Sequence, residues 1–176
     1  WHSDVSCEPM PPMGSILYMK EIPPVGGDTL FANMYAAYEA LSDRMKEYLH
    51  GLVAVHDGNH VYKGLYAGVA DKPTYPMAKH PIVRTHPETG RACLFVNRSF
   101  TTHIVGVPRD ESDAILNFLY QHMEHPNFQC RFQWEPNSIA FWDNRCTLHQ
   151  ALFDYHPHTR VGYRVTIAGD APFFKP

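Results

Sequence analysis

The strongest constraint on this chain is a pair of spacings: His2-x-Asp4 at its start, answered by His149 near its end. Alternate residues of an extended segment point to the same face, so His2 and Asp4 can grip one ion together if residues 1–5 are extended. A third ligand must then come from far along the chain, and a fold that brings His149 to that segment has to close on itself. Two imidazoles and one carboxylate are the ligand set of a mononuclear non-haem Fe(II) site. Three protein ligands leave open positions for a two-toothed cosubstrate and dioxygen. With twelve histidines in the chain, an H-x-D pair is weak by itself, and the surrounding sequence has to decide.

Bulk properties exclude several classes. The chain has 176 residues, 44% apolar and 13% aromatic, which suits one domain with a packed core. A net charge of −3 offers no electrostatic footprint for nucleic acid or an anionic membrane. No apolar run reaches the length of a membrane span, and no signal-peptide pattern opens the chain, so a cytoplasmic protein is expected. Cys7, Cys93, Cys130 and Cys146 form no C-x-x-C, which removes zinc-ribbon and thioredoxin readings and leaves reduced, mostly buried thiols. The chain opens on Trp1, one residue before a presumed ligand, and the expectation is that an N-terminal part is absent from this sequence. Because termini fray, the His2–Asp4 pair is the part of the site most open to displacement.

Periodicity supplies the elements. Residues 14–20, 29–31, 52–55, 80–85, 92–96, 128–134, 138–143 and 161–168 read as strands, with residues 86–90 the turn of a hairpin. Within 128–134, Phe128, Cys130, Phe132 and Trp134 share one face. A helix capped by Asn33 is expected over 34–49, and a second over 110–124 with Ile115, Leu116, Phe118, Leu119 and Met123 inward. Residues 56–79, rich in Gly and Tyr, read as a mobile loop or lid. Short strands, Pro/Gly turns and two helices predict a mainly β, sheet-on-sheet or jelly-roll architecture with helices packed outside.

Several rarer words stand in order along the chain: WHSD, GGDT, HPIVRTHP, SFTT, WDNRCTLH and the closing RVTIAGDAPF. Together they resemble the TauD/TfdA family of Fe(II)- and 2-oxoglutarate-dependent dioxygenases, over nearly the whole length. The resemblance implies a single domain over 1–176 with a double-stranded β-helix, the cupin-like jelly roll. It implies an iron triad of His2, Asp4 and His149. Thr29 and Arg160 match the residues that hold the far carboxylate of 2-oxoglutarate. Arg164 matches the arginine that receives the anionic head of the primary substrate, Val5 a backbone N–H beside that head, and Phe100 an aromatic wall. The implied reaction consumes dioxygen and 2-oxoglutarate, gives succinate and CO2, and hydroxylates a small anionic molecule that collapses to an aldehyde and a leaving group. Taurine or a related sulfonate is favoured, with alkyl sulfates and phenoxyacetates as alternatives in the same family. Family members are often dimers or tetramers, so a homo-oligomer is compatible with the resemblance.

Physical chemistry agrees with these assignments. A dicarboxylate tail buried beside a metal needs a fixed cation, and a guanidinium fork matches a carboxylate with two parallel bonds. Arg160 and Arg164 lie at an even offset, which on a strand puts them on one face. Asp143 reads as a structural acid bonded to Asn144 or Arg145, against a competing reading in which it orients His149. His86, His103, His156 and His158 read as loop or surface histidines. Two departures limit the resemblance. The stretch before WHSD, which contacts substrate in taurine-type members, is not in this sequence, and the segment between His56 and His80 is short. Rivals from other classes are a metal-dependent hydrolase or isomerase using Zn(II) or Mn(II), and a non-catalytic cupin-like binding domain.

Overall fold

The computed structural model describes residues 1–63 and 74–176. Its framework is antiparallel and mainly β. One sheet joins β1 (Gly14–Glu21) to β11 (Val161–Ile167) on one side and β9 (Ile139–Asp143) on the other. A second sets β2 (Thr29–Asn33) between β10 (Thr147–Ala151) and β8 (Gln129–Phe132). A third sets β3 (Val53–Asp57) between β4 (Met77–Pro81) and β7 (Thr101–Ile104). β5 (Val83–Thr85) and β6 (Ala92–Leu94) form the expected hairpin. Between the first two sheets, Met19, Trp134, Ala140 and Trp142 are buried, with Leu17, Phe31 and Phe132 packed against them. The larger core lies under the helices and takes in Met34, Leu41, Leu49, Leu94 and Leu119. Each such fully buried side chain contributes about 1.5–3 kcal/mol of hydrophobic stabilisation.

The expected helix over 34–49 is two helices, α1 (Met34–Glu39) and α2 (Asp43–Leu49). Asn33 caps the first by accepting from the Tyr35 and Ala36 amides. Ser42 restarts the chain as the cap of the second by accepting from the Met45 amide, and a serine that bonds the backbone in this way competes with continuation of a helix. The break lets both Leu41 and Leu49 reach the core. The expected strand over 80–85 likewise divides into β4 and β5. Pro81 has no N–H to donate, and after it the Ile82 amide turns to the Leu52 carbonyl.

α4 (Arg109–Met123) buries Ser112, Leu116, Leu119, Tyr120 and Met123, but Phe118 is exposed and stacks on His122 at the surface. Its predicted inward direction is therefore wrong by one step of the helical period. Phe128 ends a 3-10 turn, not a strand, and Cys130 is exposed while Cys7 and Cys93 are buried; all four cysteines are free. β7 and β10 were not expected. In the segment read as a loop, β3 continues to Asp57, α3 (Gly58–Tyr62) follows, and β4 begins at Met77. The rest of that reading, residues 64–73, lies outside the described residues. Among the described residues, no helix is long and apolar enough to cross a membrane.

Candidate functional site

Backbone pairing closes the ring that the spacings demanded. β2 holds β10 with Phe31 opposite His149, and the start of the chain adds a rung to the far side of β10. The His2 amide donates to the His149 carbonyl at 3.1 Å and the His149 amide returns a bond to the His2 carbonyl at 2.8 Å. Two residues that exchange both bonds stand directly opposite each other, and the two imidazole rings lie 4.2 Å apart. The chain then turns sharply, so that Asp4 faces both rings. Its Oδ1 is 3.7 Å from His2 Nε2 and 3.7 Å from His149 Nε2. Two atoms bound to one ion at about 2.1 Å can be at most about 4.2 Å apart, so these distances suit a shared ion. His2, Asp4 and His149 are brought together as one potential ligand cluster, and the feared displacement of the His2–Asp4 pair is not seen.

The environment of Asp4 is specific. It is 3% exposed, and its two oxygens have different partners. Oδ2 accepts from Ser15 Oγ at 2.5 Å and from Asn144 Nδ2 at 3.5 Å. Oδ1 accepts from Arg164 Nη1 at 2.8 Å. Burial alone would raise the carboxyl pKa, but the bond with His2, the proximity of His149, the Ser15 bond and the Arg164 charge outweigh it and hold the group well below the usual carboxylate range. His149 moves the other way from the protonated form: burial, then the neighbouring His2, push its pKa down to about 3. The pair therefore presents a carboxylate and a neutral imidazole, the forms that bind a metal. The His149 Nδ1 is buried without a hydrogen-bond partner among the described residues.

Thr29 and Arg160 meet at Trp134, and Thr29 stands two positions along β2 from Phe31, the residue opposite His149. Thr29 is 3% exposed, and its hydroxyl oxygen accepts from Trp134 Nε1 at 3.0 Å. The Arg160 guanidinium lies over the Trp134 ring at 5.6 Å, and its Nε and Nη2 are buried with no partner among the described residues. Burial lowers its pKa, against the opposing influence of Tyr155 and Asp28. A guanidinium with two orphaned donors costs about 1–3 kcal/mol or more, a cost that an incoming carboxylate removes. Gly27 allows this placement: its φ is +75°, and a Cβ there would stand 3.2 Å from Arg160 Cδ. An anion receptor in the same fold as a two-histidine, one-carboxylate cluster fits Fe(II) with an anionic cosubstrate.

A cavity of about 240 Å³ opens on the cluster, lined by His2, Asp4, Val5, Tyr62, Phe100 and Arg164 among others. Val5 has φ +47°, a left-handed conformation that is a genuine outlier for a β-branched residue. Larger hollows of 490 and 520 Å³ run along the outer flank of Phe31 and include none of Asp4, Arg160 and Arg164.

Other expectations are corrected. His86 is not a surface histidine; it is 4% exposed and bonds Asp143 Oδ2 at 3.0 Å. Its Nδ1 accepts from the Glu88 and Thr89 amides, so Nε2 carries the proton and donates. Asp143 also takes Arg145 in a forked pair at 3.0 and 2.7 Å, which is the structural role expected of it; no bond reaches His149. These partners also use up the cluster of His86, Asp143 and Cys146, which by distance alone resembles a metal site. Ser15 and Asn144, which hold Asp4, were missed. Asn144 stood in the WDNR word and could have been found; a serine on a β-strand gives no local signal.

Comparison with known proteins agrees with this geometry. The model of the family described as taurine catabolism dioxygenase TauD, TfdA family matches residues 1–166. An alpha-ketoglutarate-dependent sulfonate dioxygenase of Saccharomyces cerevisiae is 38% identical over 175 residues, covering 98% of this chain and 42% of that protein. The crystal structure of a taurine dioxygenase from Burkholderia xenovorans superposes with a TM-score of 0.86 at 42% identity, covering 98% of this chain and 57% of that one. That of AAD-2 in complex with Mn(II) and N-oxalylglycine superposes with a TM-score of 0.88 at 32% identity, covering 99% and 70%. The chain spans about half the length of the curated relatives it matches. With a family match that takes in every candidate ligand from His2 to Arg164, this chain belongs to the taurine catabolism dioxygenase TauD, TfdA family.

Proposed function

We propose that this chain carries the centre of a non-haem Fe(II)- and 2-oxoglutarate-dependent dioxygenase that oxidises a small anionic molecule, with taurine or a related sulfonate favoured. The observation that carries this reading is the Arg160 guanidinium, its Nε and Nη2 buried with no partner among the described residues, lying over the Trp134 ring that bonds Thr29, two positions along β2 from Phe31, which stands opposite His149. A hydrolytic metal site that activates water needs no such receptor. His2, Asp4 and His149 would hold the iron. Bound there, Fe(II) supplies dioxygen activation coupled to decarboxylation of 2-oxoglutarate to succinate and CO2.

The protein's own residues supply binding, orientation and exclusion of water. Arg160 pairs with the far carboxylate of 2-oxoglutarate. Thr29 is primed to donate to the same carboxylate, because Trp134 already fills an acceptor position on its oxygen and leaves the O–H free. Arg164 receives the anionic head of the substrate, helped by the Val5 N–H, and Phe100 walls the cavity against water. Oxidation at the carbon bearing the head group then yields an aldehyde and releases that group, sulfite in the case of a sulfonate. The first two sheets form the two faces of a double-stranded β-helix in this reading, supported by the likeness to the solved dioxygenases. The names of relatives support sulfonates first, with an alkylsulfatase and a 2,4-dichlorophenoxyacetate dioxygenase keeping sulfate esters and phenoxyacetates as alternatives.

The test is an anaerobic titration with Fe(II) and 2-oxoglutarate, read by the weak visible charge-transfer band of the chelate. A band that shifts when taurine is added supports both parts of the reading. A band that taurine leaves unchanged keeps the oxygenase and overturns taurine. No band overturns the oxygenase.

A further inference from the structure

A buried polar assembly beneath the cavity has no part in the chemistry proposed above. His56 of β3 is fully buried, and Thr101 of β7 is its cross-strand partner. His56 Nδ1 lies 3.0 Å from Ser6 Oγ, and its Nε2 lies 3.4 Å from Thr101 Oγ1. Thr101 Oγ1 also accepts the Asn97 amide at 2.9 Å, and the His56 ring bonds the Phe95 backbone as well. Ser6 Oγ thus shares a bond with His56 and accepts from Asn97 Nδ2 at 2.9 Å. Asn97 Oδ1 in turn accepts the Phe100 amide at 2.9 Å. His80 of β4 bonds the Glu8 carbonyl at 3.0 Å from the same sheet. Ser6 and Asn97 are 0% and 2% exposed.

The two ends of this assembly adjoin residues that line the cavity, Val5 and Phe100. Ser6 follows Val5, whose backbone is held at φ +47°, and Val5 follows Asp4. Asn97 fixes the start of the segment that presents Phe100. A strained β-branched residue persists only where its surroundings over-determine it, and Ser6 is tied from two directions. Asp4 itself is held independently, by Ser15 and Asn144. Thr29 and Arg160 have no bond to the assembly.

We infer that Ser6, His56 and Asn97 are positioning residues that set the gap between Val5 and Phe100, and so the fit of the anionic substrate, without touching it. The inference rests on reading that cavity as the substrate pocket. Loss of a link in the assembly selectively weakens substrate binding, and leaves the metal and 2-oxoglutarate sites in place.

The test uses His56→Phe, which keeps a ring beside Phe95 but makes no hydrogen bond, and His56→Asn, which returns a hydrogen-bonding group near the Nδ1 position. Amide exchange by NMR, with no ligand present, reads the two ends directly. Neither the Glu8 amide, bonded to the Val5 carbonyl, nor the Phe100 amide touches the His56 side chain. Both are expected to exchange about tenfold faster in His56→Phe and to recover in part in His56→Asn, with the His149 amide unchanged. Equal acceleration of all three amides, or of none, overturns the inference. In the anaerobic protein with Fe(II) and 2-oxoglutarate, the taurine Kd is expected to rise about tenfold in His56→Phe with the 2-oxoglutarate Kd unchanged; a parallel rise in both overturns it. If the wild-type protein binds 2-oxoglutarate but not taurine, the substrate reading fails by itself, and the exchange result still decides the positioning role.

Discussion

Ser15 Oγ donates to Asp4 Oδ2 at 2.5 Å while the other oxygen of the same carboxylate faces His2 and His149. β1, through Ser15, thus chooses which oxygen Asp4 offers to an ion. Ser15→Ala is expected to leave the fold intact and to weaken Co(II) binding about tenfold, the low end of the effect of losing a partner of a metal ligand. Co(II) titration followed by visible absorbance checks this, and unchanged affinity would remove Ser15 from the site.

Arg160 is a liability to the protein without its ligand. Arg160→Met removes a half-buried guanidinium whose Nε and Nη2 have no partner among the described residues, so the ligand-free protein is expected to gain up to about 1 kcal/mol in urea denaturation. The same change is expected to raise the 2-oxoglutarate Kd at least about a hundredfold, as a desolvated charge pair lost from a binding site does. A destabilised variant would mean that Arg160 is satisfied in the folded chain by some other group.

Acid should unfold this protein through its buried histidines. Burial, then the neighbouring His80, push the His56 pKa down to about 3, and burial also lowers that of His80. Between about 6.5 and 3 the unfolded chain binds a proton at His56 that the folded chain refuses, so stability is full above about pH 6.5 and falls as pH falls through that window, by up to about 1.4 kcal/mol per pH unit. Urea midpoints measured from pH 7 to pH 4 should show the loss, and His56→Asn should flatten the slope. An unchanged slope would assign the acid limb to other groups.

The C-terminal residues are tied to the core by a charge. Arg84 is 1% exposed and pairs with Asp170 at 2.9 Å, beside bonds from the Thr85 amide to the Phe173 carbonyl and from the Lys175 amide to Thr85 Oγ1. Asp170→Asn leaves a buried guanidinium without its counter-charge, and since Asp170 is a third exposed, a loss of about 2 kcal/mol is expected. Thermal unfolding measures it; no change in Tm would show that water replaces Asp170.

How far the sequence could be read depended on whether the decisive contact was local. His2, Asp4 and His149 were legible because the words around them are rare; the extended segment expected over residues 1–5 is instead a single bridge at His2 followed by a turn through Asp4 and Val5, and it is this turn that brings Asp4 to both rings. The hairpin β5–β6 was legible from its turn. Ser15 was not, since its partner is a long-range contact and a strand serine looks the same whether it bonds a carboxylate or water. His86 stands in the loop after β5, within the reading given to it, but its burial was not legible for the same reason: its partner Asp143 is brought to it only by the fold. The break between α1 and α2 was hidden because Ser42 is tolerable within a helix and becomes a cap only when Leu41 and Leu49 both turn inward. β10, the strand that carries His149, passed unnoticed because it follows directly on a turn and shows no alternation of its own.

The central claim is that the cluster of His2, Asp4 and His149, served by Arg160, runs an oxygenase reaction. Its most direct test is a turnover with Fe(II), 2-oxoglutarate, taurine and isotopically labelled dioxygen (18O2), with succinate analysed by mass spectrometry. The account predicts succinate carrying one atom of the label, and none formed when His149→Ala replaces the wild type. Unlabelled succinate, or no succinate from a protein shown to bind both Fe(II) and 2-oxoglutarate, would contradict it.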